Sequence, residues 1–476
     1  MNKPVLPDYT NCGLNIASSV LRHFGAPCAH PTHPDVDALL GRKQYKNIVV
    51  MLFDGLGMAT IADHLPKDSF LASHIAWQMT AVFPSTTVAA TTSIESGDSP
   101  CEHGWLGWSM YFYQIDRMVD VFVNLDSWTG KPMGGDVRVI DQYRPYRNIC
   151  QRLNATGNVS AHIVSRFGSN RIQTLDEMFD TAAALCGAPG RRYIYTYWGE
   201  PDHTMHDQGV MAVGDMVRDI DDRVRSFCQA MGEDTLVLVT ADHGLLDCEC
   251  RYTCDYPELE QALTRPFHIE ARAAGFYVKP EYREVFPQLF DAAFGHDDFW
   301  LVSTDAALSM GLLGGGTPRA DIREIIGDYI AIATGRYSLA HSREDTALTN
   351  APDTVYDLGD FTAYFQKLDK TFQTVSFTLR CDFKDADLTE TEQEELSKVL
   401  TSVKSWRLYL DDTLMESTTY MSSGLEEDDD GVRYLSLGAG VSIPEEMSPS
   451  TLTIVPLDAQ GQELSAEKIQ VDLTGS

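Results

Sequence analysis

The run Asn47-Ile-Val-Val-Met-Leu-Phe53, followed at once by Asp54-Gly55, is the stretch on which the fold turns. A near-continuous apolar run closed by a turn signal fits a strand buried on both faces, as the strands of a parallel sheet are. Tyr193-Ile-Tyr-Thr-Tyr197 and Thr235-Leu-Val-Leu-Val-Thr240 read the same way. Between those two, Val210 to Met231 sets Met211, Met216, Ile220, Val224 and Cys228 near helical spacing. The strand–helix–strand alternation predicts an α/β fold with a largely parallel central sheet flanked by helices. In such sheets ligands sit beyond the carboxyl ends of the strands, and Asp54, Asp202 and Asp242 fall at or shortly after those ends. Tyr329-Ile-Ala-Ile-Ala333 reads as a further, late strand.

Outward from that core, 476 residues at 43% hydrophobic content give two or three domains, or one large α/β unit that takes most of the chain. The formal charge of −32 repels nucleic-acid backbones and anionic membranes, so neither duplex nucleic acid nor a membrane is an expected partner. A small phosphate ester is still compatible, because a bound metal sets the local sign in a pocket. Met1 to Ser19 lacks a basic run followed by an apolar stretch, and no stretch of 18 residues reads as a transmembrane helix. With ten scattered cysteines read as reduced thiols, the expected location is the cytoplasm. Beyond about residue 345 the character changes. Residues 351–476 hold 25 Asp plus Glu against 9 Lys plus Arg, with no histidine and one cysteine. Strands are expected at Thr374 to Arg380, Arg407 to Leu410 and Thr451 to Pro456. A helix is expected from the Thr389-x-x-Glu392 capping box through Leu396, Val399, Leu400 and Val403, and an acidic turn at Glu426 to Gly431. The boundary is therefore drawn at 1–345 and 346–476, the latter an acidic β-rich accessory domain with a protein as its expected partner.

Four segments carry residues able to do chemistry. Asp242-His243-Gly244, directly after a buried strand, offers a carboxylate and an imidazole in one place; an ordinary turn explains the same residues. In Glu200-Pro201-Asp202-x-x-x-His206 the spacing of four puts Asp202 and His206 on one helix face, or else gives a capping aspartate and a surface histidine. Asp54-Gly55 is a strand-end carboxylate or a simple turn. Phe83-Pro84-Ser85-Thr86-Thr87-Val88-Ala89-Ala90 places hydroxyls at the start of a helix-permissive run. There they either cap the helix or face an anion across its positive end.

Together these segments resemble the alkaline phosphatase superfamily, and within it the nucleotide pyrophosphatase/phosphodiesterase branch, over about residues 45 to 335. The branch pattern Phe-Pro-Thr-x-Thr, a glycine some ten residues later, then Pro-x-x-His-Gly, is met by Phe83-Pro84-Ser85-Thr86-Thr87, Gly97 and Pro100-x-x-His103-Gly104. On that register the nucleophile is Thr87, not Thr86. The Glu-Pro-Asp-x-x-x-His and Asp-His-Gly blocks match in order. The resemblance implies an alkaline-phosphatase-like metallohydrolase domain with two divalent metals, zinc as a rule and manganese compatible. One metal is implied at Asp54, Asp242, His243 and the Thr87 oxygen, the other at Asp202, His206 and a further histidine. The implied reaction is hydrolysis of phosphodiester or pyrophosphate bonds in a small phosphate-ester substrate, through a phosphothreonine-type intermediate.

Two departures qualify that expectation. The branch carries its last histidine in a His-Gly motif after the strand that here reads Tyr329 to Ala333. No such motif follows, and His341 is the only histidine beyond His296. Either His341 is the missing ligand, or it is a loop histidine and His203 or nothing replaces it. Nucleotide-cleaving members also place an asparagine about twenty residues after the nucleophile; here Trp108 stands there, to pack on a substrate ring or to fill core. Cys248-x-Cys250-x-x-x-Cys254 lacks a standard zinc spacing, and Gly314-Gly315-Gly316 lacks the Gly-Lys-Ser/Thr that follows a phosphate loop. The competing expectations are a phosphomonoesterase or phosphomutase of the same superfamily, and a non-catalytic, metal-stabilised binding protein. A sulfatase is disfavoured because no Cys-x-Pro-x-Arg occurs.

Overall fold

The computed structural model describes residues 5–341 apart from 136 and 296. Beyond them it describes 362–369, 374–382, 405–411, 413–415, 423–427, 433–442, 451–457 and 469–472. The chain divides into two compact units, Met1–Thr346 and Ala347–Ser476.

Every residue of Asn47–Phe53 is buried. This strand pairs in parallel with Arg192–Trp198 on one side and Thr235–Thr240 on the other. Ser160–Ser165 and then Asn170–Arg171 extend the sheet past Arg192–Trp198, again in parallel. Parallel neighbours need crossovers, and the helices Leu175–Gly187 and Gly214–Ala230 supply two of them. Strand periodicity of two explains why the run has no polar alternation. Ile48, Val50 and Leu52 pack with Ile16, Val20 and Leu21 of the helix Gly13–His23. Val49, Met51 and Phe53 pack on the opposite face with Met178, Val217, Ile220 and Val224. Truncating Ile220 to alanine in that layer should cost about 2–5 kcal/mol.

The helix expected over Val210 to Met231 runs from Gly214 to Ala230. Met211, counted with its apolar face, precedes it and is exposed. Tyr329–Ala333 is a strand, but of a second, antiparallel sheet. That sheet runs in the order Phe299–Ser303, Tyr329–Ala333, Ala273–Phe276, His268–Glu270, Ser109–Phe112, Arg117–Asp120 and Leu125–Asp126. Most of these strands have two to four residues, too few for a period to register in the sequence. No described helix is long and apolar enough to cross a membrane.

In the second unit the described strands form two four-stranded antiparallel sheets. Strands run through Thr374–Asp382, Ser405–Leu410 and Thr451–Leu457, where runs of those residues predict them. Glu426 and Glu427, read as part of an acidic turn, belong to the strand Ser423–Glu427; the rest of that turn, and the helix expected from Thr389, lie outside the described residues.

Candidate active site

Parallel register brings three chain segments to one edge of the central sheet. Phe53 lies opposite Trp198, and Leu52 opposite Thr240, so the residues that follow leave the sheet side by side. Asp54 N–H donates to Trp198 O (2.9 Å), and Asp202 N–H donates to Asp54 O (3.1 Å). Gly55 permits this closeness. It has φ +68°, and a Cβ there would stand 2.8 Å from Met205 Cε and 3.0 Å from Asp202 Cα. Gly55 N–H in turn donates to Asp242 Oδ1 (3.2 Å), tying the third segment to the first.

Asp54, Asp242 and His243 are all buried, and one ligand-type atom from each lies within 4.8 Å of the others. His243 Nδ1–H donates to Gly244 O (3.1 Å), which leaves Nε2 with its lone pair facing the cluster. Asp242 Oδ1 accepts from the His243 and Gly55 amides, whereas its Oδ2 is buried without a hydrogen-bond partner. Burial, and then the charges of Asp242 and Asp202, push the Asp54 carboxyl well above the usual range, with the Tyr197 hydroxyl (2.5 Å to Oδ2) pulling the other way. Buried carboxylates crowded with orphaned oxygens around an imidazole lone pair fit a divalent cation: the donors suit it, and its charge relieves their repulsion.

Thr87 is the first residue of the helix Thr87–Ser96. Its hydroxyl donates to Asp54 Oδ1 (3.3 Å) and stands 3.1 Å from His243 Nε2. The capping alternative fails here, because no side chain caps this helix and the Thr86 hydroxyl donates to Glu270 Oε1 (2.6 Å) instead. Of the first turn, Thr87 is partly exposed whereas Val88 and Ala89 are buried.

Asp202 opens the short helix Asp202–Gln208, and it too is no cap. Its Oδ1 is buried without a hydrogen-bond partner and lies 3.5 Å from His206 Nε2 and 4.0 Å from His243 Nε2. Burial raises the Asp202 carboxyl, against the lowering pull of His206 and then His243. His206 is 66% exposed. His203 is exposed as well and faces Asp207 Oδ2 at 3.8 Å. His341 has other neighbours: its Nδ1 faces Thr253 Oγ1 at 3.2 Å and Glu260 Oε1 at 3.7 Å, and its ring lies 5.4 Å from that of Phe267. Among the described residues, only Asp54, Asp242 and His243 converge as a three-residue metal-type group.

Trp108 does not fill core. Its indole is 43% exposed and meets Phe122 edge-on at 6.0 Å. The cysteines near the site diverge: Cys248 takes Arg272, Cys250 meets Ser338, and Cys254 is exposed. Two residues escaped the sequence reading. Tyr197 was legible by the strand-end logic that picked out Asp54. Glu270 had little signal, a carboxylate in the Phe267-to-Phe276 stretch that also holds His268 and Arg272.

A family model described as Type I phosphodiesterase / nucleotide pyrophosphatase matches residues 48–360. No curated protein and no solved structure matches the chain.

Proposed function

Because the chain belongs to the type I phosphodiesterase/nucleotide pyrophosphatase family, with the α/β core of the alkaline phosphatase superfamily, we propose that it hydrolyses phosphodiester or pyrophosphate bonds through Thr87. The observation that carries this reading is the Thr87 hydroxyl, at hydrogen-bond distance from both Asp54 and His243. One divalent cation belongs with Asp54, Asp242, His243 and the Thr87 oxygen, and a second with Asp202 and His206; zinc suits the mixed oxygen and imidazole donors. Bound there, such cations supply the positive charge that acidifies the threonine hydroxyl and steadies the departing oxygen.

The chain's own groups account for the rest. Asp54 Oδ1 is the acceptor toward which the Thr87 proton points, so loss of that proton leaves Oγ1 as the nucleophile. Oγ1 forms a bond to phosphorus while the bond to the leaving oxygen breaks. The start of Thr87–Ser96, where Thr87 is partly exposed, is the positive end of the helix and favours the negative phosphoryl oxygens. Water then attacks the phosphothreonine, releases the phosphorylated product and restores the hydroxyl. Tyr197 holds Asp54 by Oδ2 and so keeps Oδ1 turned to the threonine.

The test is turnover of matched phosphate mono- and diesters by metal-replenished protein, beside Thr87→Ala. Diester preference that disappears in the variant is the expected result. Monoester preference would favour the phosphomonoesterase or phosphomutase reading. Equal activity in Thr87→Ala would end the nucleophile assignment.

A further inference from the structure

Glu270 lies one residue from a strained position and against the segment that carries Trp108. Ile269 has φ +78°, a conformation that a β-branched residue adopts only when its surroundings impose it. The surroundings are visible: a Cβ on Gly107 would stand 2.3 Å from Ile269 O, so the Trp105–Trp108 loop presses directly on the strand His268–Glu270. One atom then gathers two donors from separate parts of the chain. Glu270 Oε1 accepts the Thr86 hydroxyl at 2.6 Å and the Trp108 backbone amide at 2.7 Å. His243 and Asp202 are near enough to bear electrostatically on the same carboxylate.

We propose that Glu270 is a positioning residue, a shared acceptor that fixes the start of the nucleophile helix against the loop that presents the Trp108 indole at the rim of the site. Its first effect is on Thr86. That hydroxyl is drawn off the helix it would ordinarily cap, and it ties the residue before Thr87 to the strand His268–Glu270. Its second effect is on Trp108, whose exposed ring has its main chain anchored to the atom that anchors Thr86. Nucleophile and indole are thereby held at a set separation, for a phosphate ester that carries a flat or apolar group beside the phosphate. A displacement of about 1 Å at a nucleophile costs roughly 10²-fold in rate.

The inference rests on Thr87 being the nucleophile, so its test has an arm that needs no turnover. In Glu270→Ala, kcat on bis(4-nitrophenyl) phosphate should fall about 10- to 100-fold with KM changed less than about 3-fold. Glu270→Gln should stay within about 3-fold of the parent, because an amide oxygen still accepts two hydrogen bonds. Thr86→Val should lower kcat like Glu270→Ala, and the double variant should lose little more. It also tests the idea should Glu270→Ala fail to fold. Hydrogen exchange provides the second arm: the Trp108 amide should lose protection in Glu270→Ala and keep it in Glu270→Gln. Unchanged protection in Glu270→Ala, or a glutamine variant as impaired as the alanine one, would overturn the proposal. If the parent hydrolyses nothing, the nucleophile reading falls, and exchange at Trp108 still decides whether Glu270 couples the two segments.

Discussion

Asp54, Asp242 and His243 stand on the ends of neighbouring strands and are buried, whereas Asp202 and His206 share one short helix and His206 points into solvent. In the first region the sheet itself forces carboxylates together, and their repulsion must be answered by a cation or by protons. In the second, a single turn of helix brings two ligands close, and no third joins them among the described residues. A rigid, desolvated cluster and a half-open pair should respond very differently to the same kind of substitution.

Asp242→Asn should have the largest effect. Its amide oxygen can still accept from Gly55 and His243, so the fold persists while one negative charge leaves the cluster. Turnover is expected to drop by roughly 10³-fold or more, as when a residue of a unit that acts together is lost. Metal-free Asp242→Asn should melt no lower than the metal-free parent, since like-charge repulsion is relieved, and added zinc should no longer raise its midpoint. Thermal melts with and without zinc, run beside the assay, check both halves. A variant that binds zinc and turns over normally would show that the buried region is a structural carboxylate cluster.

His206→Asn probes the other region, and a smaller effect is expected: about 10- to 100-fold in kcat/KM, with bound zinc falling by one ion per chain. His341→Ala sharpens the same contrast. Its ring is engaged with Thr253, Glu260 and Phe267, so a change of less than about 3-fold in activity is expected with the zinc content intact. Loss of one zinc in His341→Ala would instead make it the missing ligand of the open region.

The contrast also explains what could be read from the sequence. A buried parallel strand announces itself as Asn47–Phe53 does, and the residue after it is then placed at a ligand-binding edge without knowledge of anything distant. Asp54 and Asp242 were legible for that reason, and Asp202 with His206 because a helix repeats every three to four residues. Glu270 was not legible in role. It reaches Thr86 from 184 residues away, through a short strand held by a strained Ile269 that no periodicity marks. Trp108 was left open between a substrate ring and core, because the exposure of an indole on a loop depends on distant strands that the local sequence does not show.

Glu95 gives the smallest effect and the cleanest control, since it lies at the other end of the helix that begins with Thr87 and belongs to no three-residue metal-type group among the described residues. The residue as a whole is half-buried, but its carboxyl is enclosed by protein and accepts from the Tyr146 hydroxyl (3.0 Å). Burial pushes it from 4.5 up to about 7, with the Tyr146 bond opposing. Because the folded value is raised, the folded protein keeps a proton there that the unfolded chain has already released. Stability from this residue is therefore present below about pH 4.5, declines as pH rises through the window to about 7, and stays low above it. Glu95→Gln keeps an acceptor for Tyr146 and removes the ionisation. It should raise the melting midpoint by a few degrees at pH 8, a gain on the order of 2 kcal/mol, and leave it unchanged at pH 4.5. Zinc should not alter that difference. If zinc did abolish it, Glu95 would belong with the cation-dependent carboxylates, and the line between the buried cluster and the remaining buried acids would have to be redrawn.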